Sequence, residues 1–302
     1  MKILVTGSRG VLGHALQTIA QEYSEAEFIF SSSGSCDLTN IKQTCEYVQS
    51  LQPDAIMHLA AVSGGIKLSM DHPARLLRDN VLMTINILEA ARICNVKKVL
   101  MTLSSGMYPP DAPLPLKETS LHDGPAHVSN YGYAYAKRLI EPAIKSYRYE
   151  YHMDVIGVVP NGIFGENDKY NENEATVLAS LIERFCKNKD STEPLLVWGD
   201  GQPFREFTYS KDMARAFMWC LINYSSDEII NVGTTEEHSV MDIAYMVADE
   251  LGIDRKRIMF DTSKPSGVFR KSMDNSKFLK LSDFQFTPFK SALKQTVKSL
   301  QD

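Results

Sequence analysis

Short apolar runs alternate with longer amphipathic stretches along the first half of the chain. This alternation is typical of a parallel β-sheet that is covered by helices. The apolar runs predict strands at Lys2–Thr6, Glu27–Phe30, Ala55–Leu59, Lys98–Leu103 and Asp154–Val159. The stretches between them predict helices at Leu12–Gln21, Ile41–Leu51, Ala74–Cys94 and Ala134–Tyr151. The segment Tyr108–Asn130 is rich in Pro, Asp and His and has no clear period, so we expect a loop there.

The pattern changes after Pro160, where a polar stretch at Gly165–Asn173 begins. Beyond it we predict helices at Val177–Lys187, Asp212–Asn223 and Val240–Leu251, and strands at Leu195–Trp198 and Ile229–Gly233. No linker or repeat interrupts the chain, so its last third should pack as a lobe on the first part. The fold class that we expect is α/β, with a doubly wound parallel sheet and a smaller α/β lobe. We place the first domain at residues 1–160, with elements from about 208–233 returning to it, and the lobe at residues 161–302.

Composition excludes several classes of partner. A net charge of -5 argues against a nucleic-acid or anionic-membrane binder, because either would need a basic face. The five cysteines show no CxxC pairing, so neither a disulfide framework nor a metal site is indicated. Met1 leads directly into the first predicted strand, and no apolar stretch has the length of a membrane span. We therefore expect a cytoplasmic protein.

A glycine-rich turn joins the first predicted strand to the first helix. It reads Thr6-Gly7-Ser8-Arg9-Gly10-Val11-Leu12-Gly13. In this context Gly7 permits the tight turn, Gly10 lets the backbone approach a pyrophosphate, and Gly13 allows close packing of helix on sheet. The helix N-terminus offers free N–H groups to phosphates. The turn predicts a Rossmann dinucleotide site, with Gly7, Arg9, Gly10, Val11, Leu12 and Gly13 as cofactor residues.

The end of the second predicted strand distinguishes between the two nicotinamide dinucleotides. NAD enzymes of this fold usually place a carboxylate there for the ribose 2′-hydroxyl, but this chain has Ser31-Ser32-Ser33-Gly34. Arg9 is available to pair with a 2′-phosphate, which favours NADP(H); the alternative is that Arg9 is a solvated loop cation. Asp37 and Leu38 follow, and we expect them to contact the adenine.

The catalytic candidates are a tyrosine and a lysine four residues apart on a helix, with a serine at the end of a strand. Tyr133 and Lys137 share one helix face, where the ammonium should lower the pKa of the phenol. Ser104 follows the fourth predicted strand, at the sheet edge where doubly wound folds bind ligands. Tyr131 and Tyr135 have no lysine four residues on. The set resembles the catalytic group of the extended short-chain dehydrogenases/reductases.

Several segments resemble one branch of that superfamily, the GDP-L-fucose synthases. His58-Leu59-Ala60-Ala61-Val62-Ser63-Gly64-Gly65-Ile66 is similar to their HLAAxxGGI element. Further matches are Asn80, Val96-Lys97-Lys98, Ser104–Pro109, Val197–Phe207, Lys264-Pro265-Ser266-Gly267 and Arg270-Lys271. The resemblance covers essentially the whole chain. It implies an NADPH-dependent enzyme that acts on a GDP-linked 4-keto-6-deoxy sugar, and a homodimer formed through the helices at Ala74–Cys94 and Ala134–Tyr151.

The same resemblance implies further site residues. Leu59, Ala60, Ala61 and Lys137 are expected to contact the cofactor, and Ser105, Gly106, Asn161 and Thr176 the substrate. In that family the tryptophan, the first arginine of the REF segment and a lysine near the C-terminal RK pair contact GDP; carried over, these are Trp198, Arg205 and Lys271. Two alternatives remain open here: Trp198 as a buried residue of the lobe, and Arg205 as part of a surface ion pair.

One departure from the family concerns epimerisation. The fucose synthases carry a cysteine two residues after the catalytic serine and a histidine in the substrate loop, and these act as base and acid at C3 and C5. Gly106 and Thr176 stand at those places here, and neither has a group that titrates near neutral pH. His122 or His127 could substitute. We therefore predict a C4 keto-reductase that does not epimerise, with a bifunctional fucose synthase as the alternative.

Two other classes are weighed by single features. A 4,6-dehydratase needs an acidic residue directly after the serine, and Ser105 is not one. A non-catalytic NADP(H) sensor of the same fold is expected to have lost Tyr133 or Lys137, and both are present. The configuration of the sugar, and whether it is a hexose or a heptose, stays open.

Overall fold

The computed structural model describes residues 1–168, 170, 176–264 and 268–300. Its strands are β1 Lys2–Thr6, β2 Glu27–Ser31, β3 Ala55–His58, β4 Lys98–Thr102, β5 Asp154–Pro160, β6 Gly162–Phe164, β7 Leu195–Trp198, β8 Phe204–Tyr209, β9 Ile230–Val232, β10 Glu237–Ser239 and β11 Ile258–Asp261. Its α-helices are α1 Val11–Ile19, α2 Ile41–Leu51, α3 Ile66–Asp71, α4 Pro73–Ile93, α5 Tyr131–Arg138, α6 Ile140–Tyr151, α7 Val177–Lys187, α8 Ser210–Asn223, α9 Val240–Leu251, α10 Ser276–Ser282 and α11 Phe289–Ser299.

The central sheet is parallel, and within the described residues it has six strands in the order β2-β1-β3-β4-β5-β9. Residues of the inner strands are buried on both faces: Ile3 and Val5 of β1 point into one core with α1 and α8, while Leu4 points into the other with α2 and α4. Helices on both faces explain why these strands read as continuous apolar runs. The predicted α/β class with a doubly wound parallel sheet is confirmed.

One predicted helix is in fact two. The stretch that we expected to form a single helix at Ala134–Tyr151 begins earlier, at Tyr131, and divides at Leu139 into α5 and α6. Pro142 explains the division, because proline has no N–H to donate to the carbonyl four residues earlier, and its ring crowds that carbonyl. The break ends α5 directly after Lys137 and Arg138.

The second half of the chain adds small sheets and a core of its own. Strand β8 lies between β6 and β10, and β7 pairs with β11. Phe164, Phe185, Ile243 and Leu293 belong to one buried cluster that α7, α9 and α11 cover. Strand β9, from the same half, instead extends the central sheet beside β5.

The connection between β4 and α5 is irregular, as predicted, and it is held at its middle. Short 3-10 turns occur at Ser105–Met107, Glu118–His122 and Val128–Asn130. Leu116 forms a parallel bridge with Met273, with backbone bonds of 2.8 Å on either side. This bridge joins the segment between Ser104 and Tyr133 to the chain that follows Lys271.

None of the helices in the described ranges combines the length and the apolar character that crossing a bilayer requires. The assignment to the cytoplasm stays a prediction.

Candidate active site

The glycine turn has the close contacts that its sequence predicts. Gly7 has a φ of +73°, and a Cβ on it would lie 2.6 Å from the backbone nitrogen of Ala60. A Cβ on Gly13 would lie 2.6 Å from the carbonyl oxygen of Gly7. Gly10 is the N-cap residue of α1 and makes no side-chain capping bond. The N–H groups at the start of the helix, at Val11 and Leu12, therefore have no capping side chain as a partner. The turn is therefore shaped for close approach of a phosphate group.

The segment after β3 lies directly against this turn. The backbone N–H of Ala60 donates to Thr6 Oγ1 at 3.3 Å, and Thr6 Oγ1 lies 2.8 Å from Nδ1 of His58. Burial, together with the charge of Lys137, lowers the pKa of His58 to about 3, so its ring is neutral. Leu59, Ala60 and Ala61 are thus placed beside Gly7, where we predicted cofactor contacts.

Asn80 holds the same segment from the other side. Its side chain is buried in α4, accepts from the Val62 N–H at 3.0 Å and donates to the Val62 carbonyl at 2.9 Å. A third bond, to the Leu76 carbonyl at 2.7 Å, ties the amide to its own helix. The sequence showed Asn80 only as a family match, and this positioning role depends on a contact that no spacing reveals.

Arg9 reaches the loop after β2. Its guanidinium donates to Ser33 Oγ at 3.0 Å and lies beside Gly34, on a segment without a carboxylate. Asp37, which follows, is exposed and accepts from the backbone and the hydroxyl of Thr39 at 3.0 and 2.7 Å. Leu38 is buried. The arrangement leaves a cation and a set of hydroxyls where we predicted the 2′-phosphate.

The three predicted catalytic residues come together. Ser104 follows β4, its hydroxyl accepts from the Gly106 N–H at 3.1 Å, and it also hydrogen-bonds the phenol of Tyr133. Lys137, one turn along α5, lies with its ammonium 5.9 Å from the centre of the Tyr133 ring and donates to the Thr102 carbonyl at 2.7 Å. A hydroxyl, a phenol and an ammonium thus meet at the carboxyl end of β4.

The pKa directions here differ in one respect from the expectation. Burial lowers the pKa of Lys137 to about 8. Burial also raises the pKa of Tyr133, and the hydrogen bond from Ser104 offsets this only in part. The expectation that Lys137 lowers the pKa of the phenol is therefore wrong, because desolvation determines the direction of the shift. A raised pKa keeps Tyr133 protonated at neutral pH, which is the form that donates a proton.

Arg138 holds the loop that follows Ser104, a role that the sequence did not indicate. It follows Lys137, and its buried guanidinium donates to the carbonyls of Met107 at 2.6 Å and Gly124 at 2.7 Å. Lys137 thus lies beside Tyr133, whereas Arg138 holds the loop after Ser104 at Met107 and at Gly124.

The predicted substrate residues near Ser104 fall into two groups. Ser105 and Gly106 form the turn directly after the serine, and Gly106 borders its hydroxyl. Asn161 is buried instead: it accepts from the Thr208 hydroxyl at 2.6 Å and donates to the Thr234 carbonyl at 3.0 Å and to Glu206 at 3.3 Å. These contacts connect Asn161 to other residues in the second half of the chain. A substrate contact of Asn161 stays a prediction.

Trp198, Arg205 and Lys271 lie in the second half of the chain. Trp198 is 59% exposed, so the alternative of a buried lobe residue is wrong. Arg205 is half-buried and donates to the carbonyls of Phe204 at 2.6 Å and Val268 at 2.8 Å; it has no carboxylate partner among the described residues, so these give the ion-pair alternative no support. Lys271 keeps access to solvent but is closely surrounded, and desolvation together with the charge of Arg205 lowers its pKa to about 8. Two neighbouring cations of this kind suit an anionic ligand.

Thr176 caps α7, accepting from the Ala179 N–H at 3.3 Å. Most of the loop before it, residues 169 and 171–175, lies outside the described residues, as does the 265–267 part of the predicted Lys264–Gly267 segment. The two loop histidines are at the surface: His122 lies 3.2 Å from Glu141, and His127 lies 2.8 Å from Ser129. In the parts of the chain that are described, no group of His, Cys, Asp and Glu side chains could hold a metal ion.

Comparison with known proteins places this geometry in a family. The model of the NAD dependent epimerase/dehydratase family matches residues 3–233. The GDP-L-fucose synthase of Dictyostelium discoideum is 34% identical over 97% of this chain and 93% of its own length. The GDP-L-colitose synthase of Yersinia pseudotuberculosis is 32% identical over 91% of this chain and 90% of its own.

A solved structure agrees with these relatives. The GDP-L-fucose synthetase of Naegleria fowleri bound to NADP superposes with a TM-score of 0.92 at 32% identity, covering 99% of this chain and 94% of that one. The resemblance predicted from the sequence is confirmed. The chain belongs to the NAD dependent epimerase/dehydratase family and is, within it, a relative of the GDP-L-fucose synthases.

Proposed function

We propose that this protein is an NADPH-dependent reductase that acts on the C4 ketone of a GDP-linked 4-keto-6-deoxy sugar and does not epimerise C3 or C5. The observation that carries the proposal is the pairing of a complete Ser104–Tyr133–Lys137 group with Gly106 directly beside it. The first supplies what ketone reduction needs. The second has no side chain to move a proton to or from carbon.

The cofactor assignment rests on the glycine turn and on Arg9. The clashes that a Cβ would create at Gly7 and Gly13 are those expected of a cradle for a dinucleotide, and Arg9 stands ready for a 2′-phosphate. The relative of known structure bound to NADP supports the same choice. When bound, NADPH supplies the hydride. Lys137 has donors left for the cofactor, because the Thr102 carbonyl engages one of its three N–H groups.

The chain's own residues handle the proton. Ser104 donates a hydrogen bond to the ketone oxygen and polarises it. Tyr133 gives its proton to the same oxygen as negative charge develops there, and its raised pKa keeps that proton available at neutral pH. The nearby Lys137 ammonium stabilises the phenolate that is left. Lys137 is buried and the side chains of Ser104 and Tyr133 are half-buried, which strengthens these interactions because water screens them less.

The GDP part of the substrate suits the second half of the site. Arg205 and Lys271 offer two cations without a carboxylate partner among the described residues, which fits a pyrophosphate. The exposed Trp198 ring offers a flat apolar surface, and the ammonium of Lys264 lies 5.8 Å from its centre. The relatives named for GDP-L-fucose and GDP-L-colitose support a GDP-linked sugar. We retain the homodimer as a prediction.

The second candidate is a bifunctional epimerase/reductase. It is favoured by the 34% identity to the Dictyostelium enzyme named a GDP-L-fucose synthase. Three observations argue against it: position 106 is a glycine, Thr176 caps α7, and the surface residues His122 and His127 contact Glu141 and Ser129. These four residues leave proton exchange at C3 and C5 without a positioned acid and base.

Deuterium exchange separates the two candidates. A GDP-4-keto-6-deoxy sugar is incubated with the protein in D₂O, first without NADPH and then with it, and the products are analysed by mass spectrometry and NMR. We expect no enzyme-dependent deuterium at C3 or C5 without NADPH, and a product altered only at C4 with it. Enzyme-dependent deuterium at either carbon contradicts the reductase and supports the bifunctional enzyme, whereas absence of turnover contradicts both.

A further inference from the structure

Asn130 does not do what an asparagine before a helix ordinarily does. It stands at the N-cap of α5, where such a side chain usually accepts from the first N–H groups of the helix, but it makes no capping bond. Its side-chain oxygen instead accepts from the hydroxyl of Ser69, on α3, at 3.2 Å. The amide is therefore turned away from its own helix and held from a neighbouring one.

The nitrogen of this amide faces the reacting groups. Asn130 Nδ2 lies 3.0 Å from the position that a Cβ on Gly106 would take, and Ser104 Oγ lies 3.3 Å from the same position. Both polar atoms thus border the space that a side chain at Gly106 would fill. Within the described ranges, no protein acceptor lies within hydrogen-bond distance of Asn130 Nδ2. A half-buried amide that is fixed at one end and unpaired at the other presents a donor to a ligand.

We propose that Asn130 is a substrate-contacting residue whose amide donates to the C3 hydroxyl of the sugar, an inference that rests on the proposed reduction at C4. Ser104 is assigned to the C4 oxygen, so a donor beside it meets an oxygen on an adjacent carbon. In a 4-keto-6-deoxy sugar C5 carries the ring oxygen and a methyl group. The hydroxyl at C3 is therefore the single hydroxyl next to the ketone.

The position of Asn130 gives a second reason for a glycine at position 106. A side chain at this position would press on Asn130 Nδ2, because a contact of 3.0 Å is closer than carbon and nitrogen atoms ordinarily approach. The glycine that removes a proton-transfer group from the site also leaves room for the amide. Asn130 then sets specificity for a substrate with its C3 hydroxyl present, since a site that hydrogen-bonds a hydroxyl discriminates against the analogue that lacks it.

The test compares two ketones that differ in one atom, a GDP-4-keto-6-deoxyhexose and its 3-deoxy counterpart. The ratio of their kcat/KM values is measured for the wild type, Asn130→Ala and the equally sized Asn130→Asp, which lacks the N–H donors. We expect both variants to lose about tenfold in kcat/KM on the 3-hydroxy ketone and less than twofold on the 3-deoxy ketone. The Kd for NADPH should stay unchanged in both variants, and Asn130→Asp, which keeps an acceptor oxygen for Ser69, should also keep the wild-type melting temperature. Ser129→Ala, on the same turn, serves as the control and should keep the wild-type ratio.

A second variant perturbs the Asn130 side chain without replacing it. Gly106→Ala adds the crowding methyl group and should lower the same ratio, even if an Asn130 variant proves unstable. Equal losses on both ketones, or no loss on the 3-hydroxy ketone, would overturn the role of Asn130 while leaving the proposed function intact. A wild type that reduces neither ketone contradicts the proposed function itself, and the inference about Asn130 is then wrong as well.

Discussion

The ammonium of Lys137 and the phenol of Tyr133 share one face of α5, but they are not bonded to each other. The ammonium lies 5.9 Å from the ring centre and donates to the Thr102 carbonyl at 2.7 Å. The phenol bonds Ser104 instead. Lys137 can therefore act on Tyr133 only through space, while Ser104 is the side chain that hydrogen-bonds the phenol.

Removing the phenol hydroxyl should abolish proton transfer without disturbing the fold. We expect Tyr133→Phe to lower kcat by roughly 10²–10⁴-fold, the usual contribution of a positioned proton donor, with NADPH binding largely retained. Steady-state kinetics and cofactor fluorescence measure the two quantities. Tyr135→Phe is the matched control, because that ring packs on Tyr131 and on the Arg138 guanidinium. If Tyr135→Phe is as damaging as Tyr133→Phe, the placement of the acid is wrong.

The lowered pKa of Lys137 predicts how the rate depends on pH. Burial disfavours the ammonium, so in the free protein it loses its proton near pH 8 instead of near 10.5. The charged form is the one that stabilises the phenolate. We expect kcat/KM for ketone reduction to be constant near neutrality and to fall above about pH 8, by up to tenfold per pH unit.

Lys137→Arg tests the origin of that fall. Arginine stays charged throughout this pH range. The variant should be slower than the wild type, but its kcat/KM should stay level to a higher pH. A wild-type profile that is flat to pH 9.5 is incompatible with the assigned role of the ammonium.

Cofactor preference should follow the contact between Arg9 and Ser33. We expect kcat/KM for NADPH to exceed that for NADH by at least tenfold, or about 1.4 kcal/mol, because the guanidinium pairs with the 2′-phosphate. Arg9→Ala should shrink the preference by lowering the NADPH value alone. Arg255→Ala, an exposed arginine paired with Asp249, is the control and should leave the preference unchanged. Equal efficiency of the wild type with both cofactors removes the basis of the assignment.

Glu206 should make stability depend on pH. It is buried, accepts from the Met273 N–H at 3.2 Å and from Asn161, and burial raises its pKa to about 7, with a further increase from the charge of Glu237. A carboxyl whose folded pKa lies above its ordinary value of 4.5 stabilises the fold most at low pH, and that contribution is lost as the pH rises through 7.

Glu206→Gln removes this titration. We expect its free energy of unfolding, relative to the wild type, to rise by about 2 kcal/mol between pH 5 and pH 8 in urea denaturation. Glu46→Gln, at an exposed position on α2, is the control and should show no such trend. A difference between Glu206→Gln and the wild type that is the same at both pH values contradicts the raised pKa.

The central sheet and the proximity of Tyr133 to Lys137 were predictable, because local patterns encode them. Strands buried on both faces are continuous apolar runs, and the spacing of Tyr133 and Lys137 places them on one helix face wherever that helix lies. The small strands β6, β10 and β11 were not predicted. They have only three or four residues and are half-buried along much of their length, so they carry neither a long apolar run nor a clear alternation.

The supporting residues of the site escaped prediction for a different reason. Asn80, Asn130 and Arg138 act through contacts with residues that are distant in sequence, such as Asn130 with Ser69 and Arg138 with Met107. The sequence around these three residues contains no pattern that predicts such contacts. The division of the helix at Leu139 was also missed, although Pro142 signals it within the sequence itself.

The bridge between Leu116 and Met273 limits how the site can open. Arg138 already holds the chain from Ser104 to Tyr133 at the carbonyls of Met107 and Gly124, and the bridge adds a fixed point between those two residues. The other side of the bridge belongs to the segment that carries Lys271. The backbone of Met273 and that of Leu116 are therefore fixed to each other, and Leu116 lies between Ser104 and Tyr133 in the chain. The proposed nucleotide contact at Lys271 and the proposed reacting groups at Ser104 and Tyr133 thus belong to two segments that one backbone bridge connects.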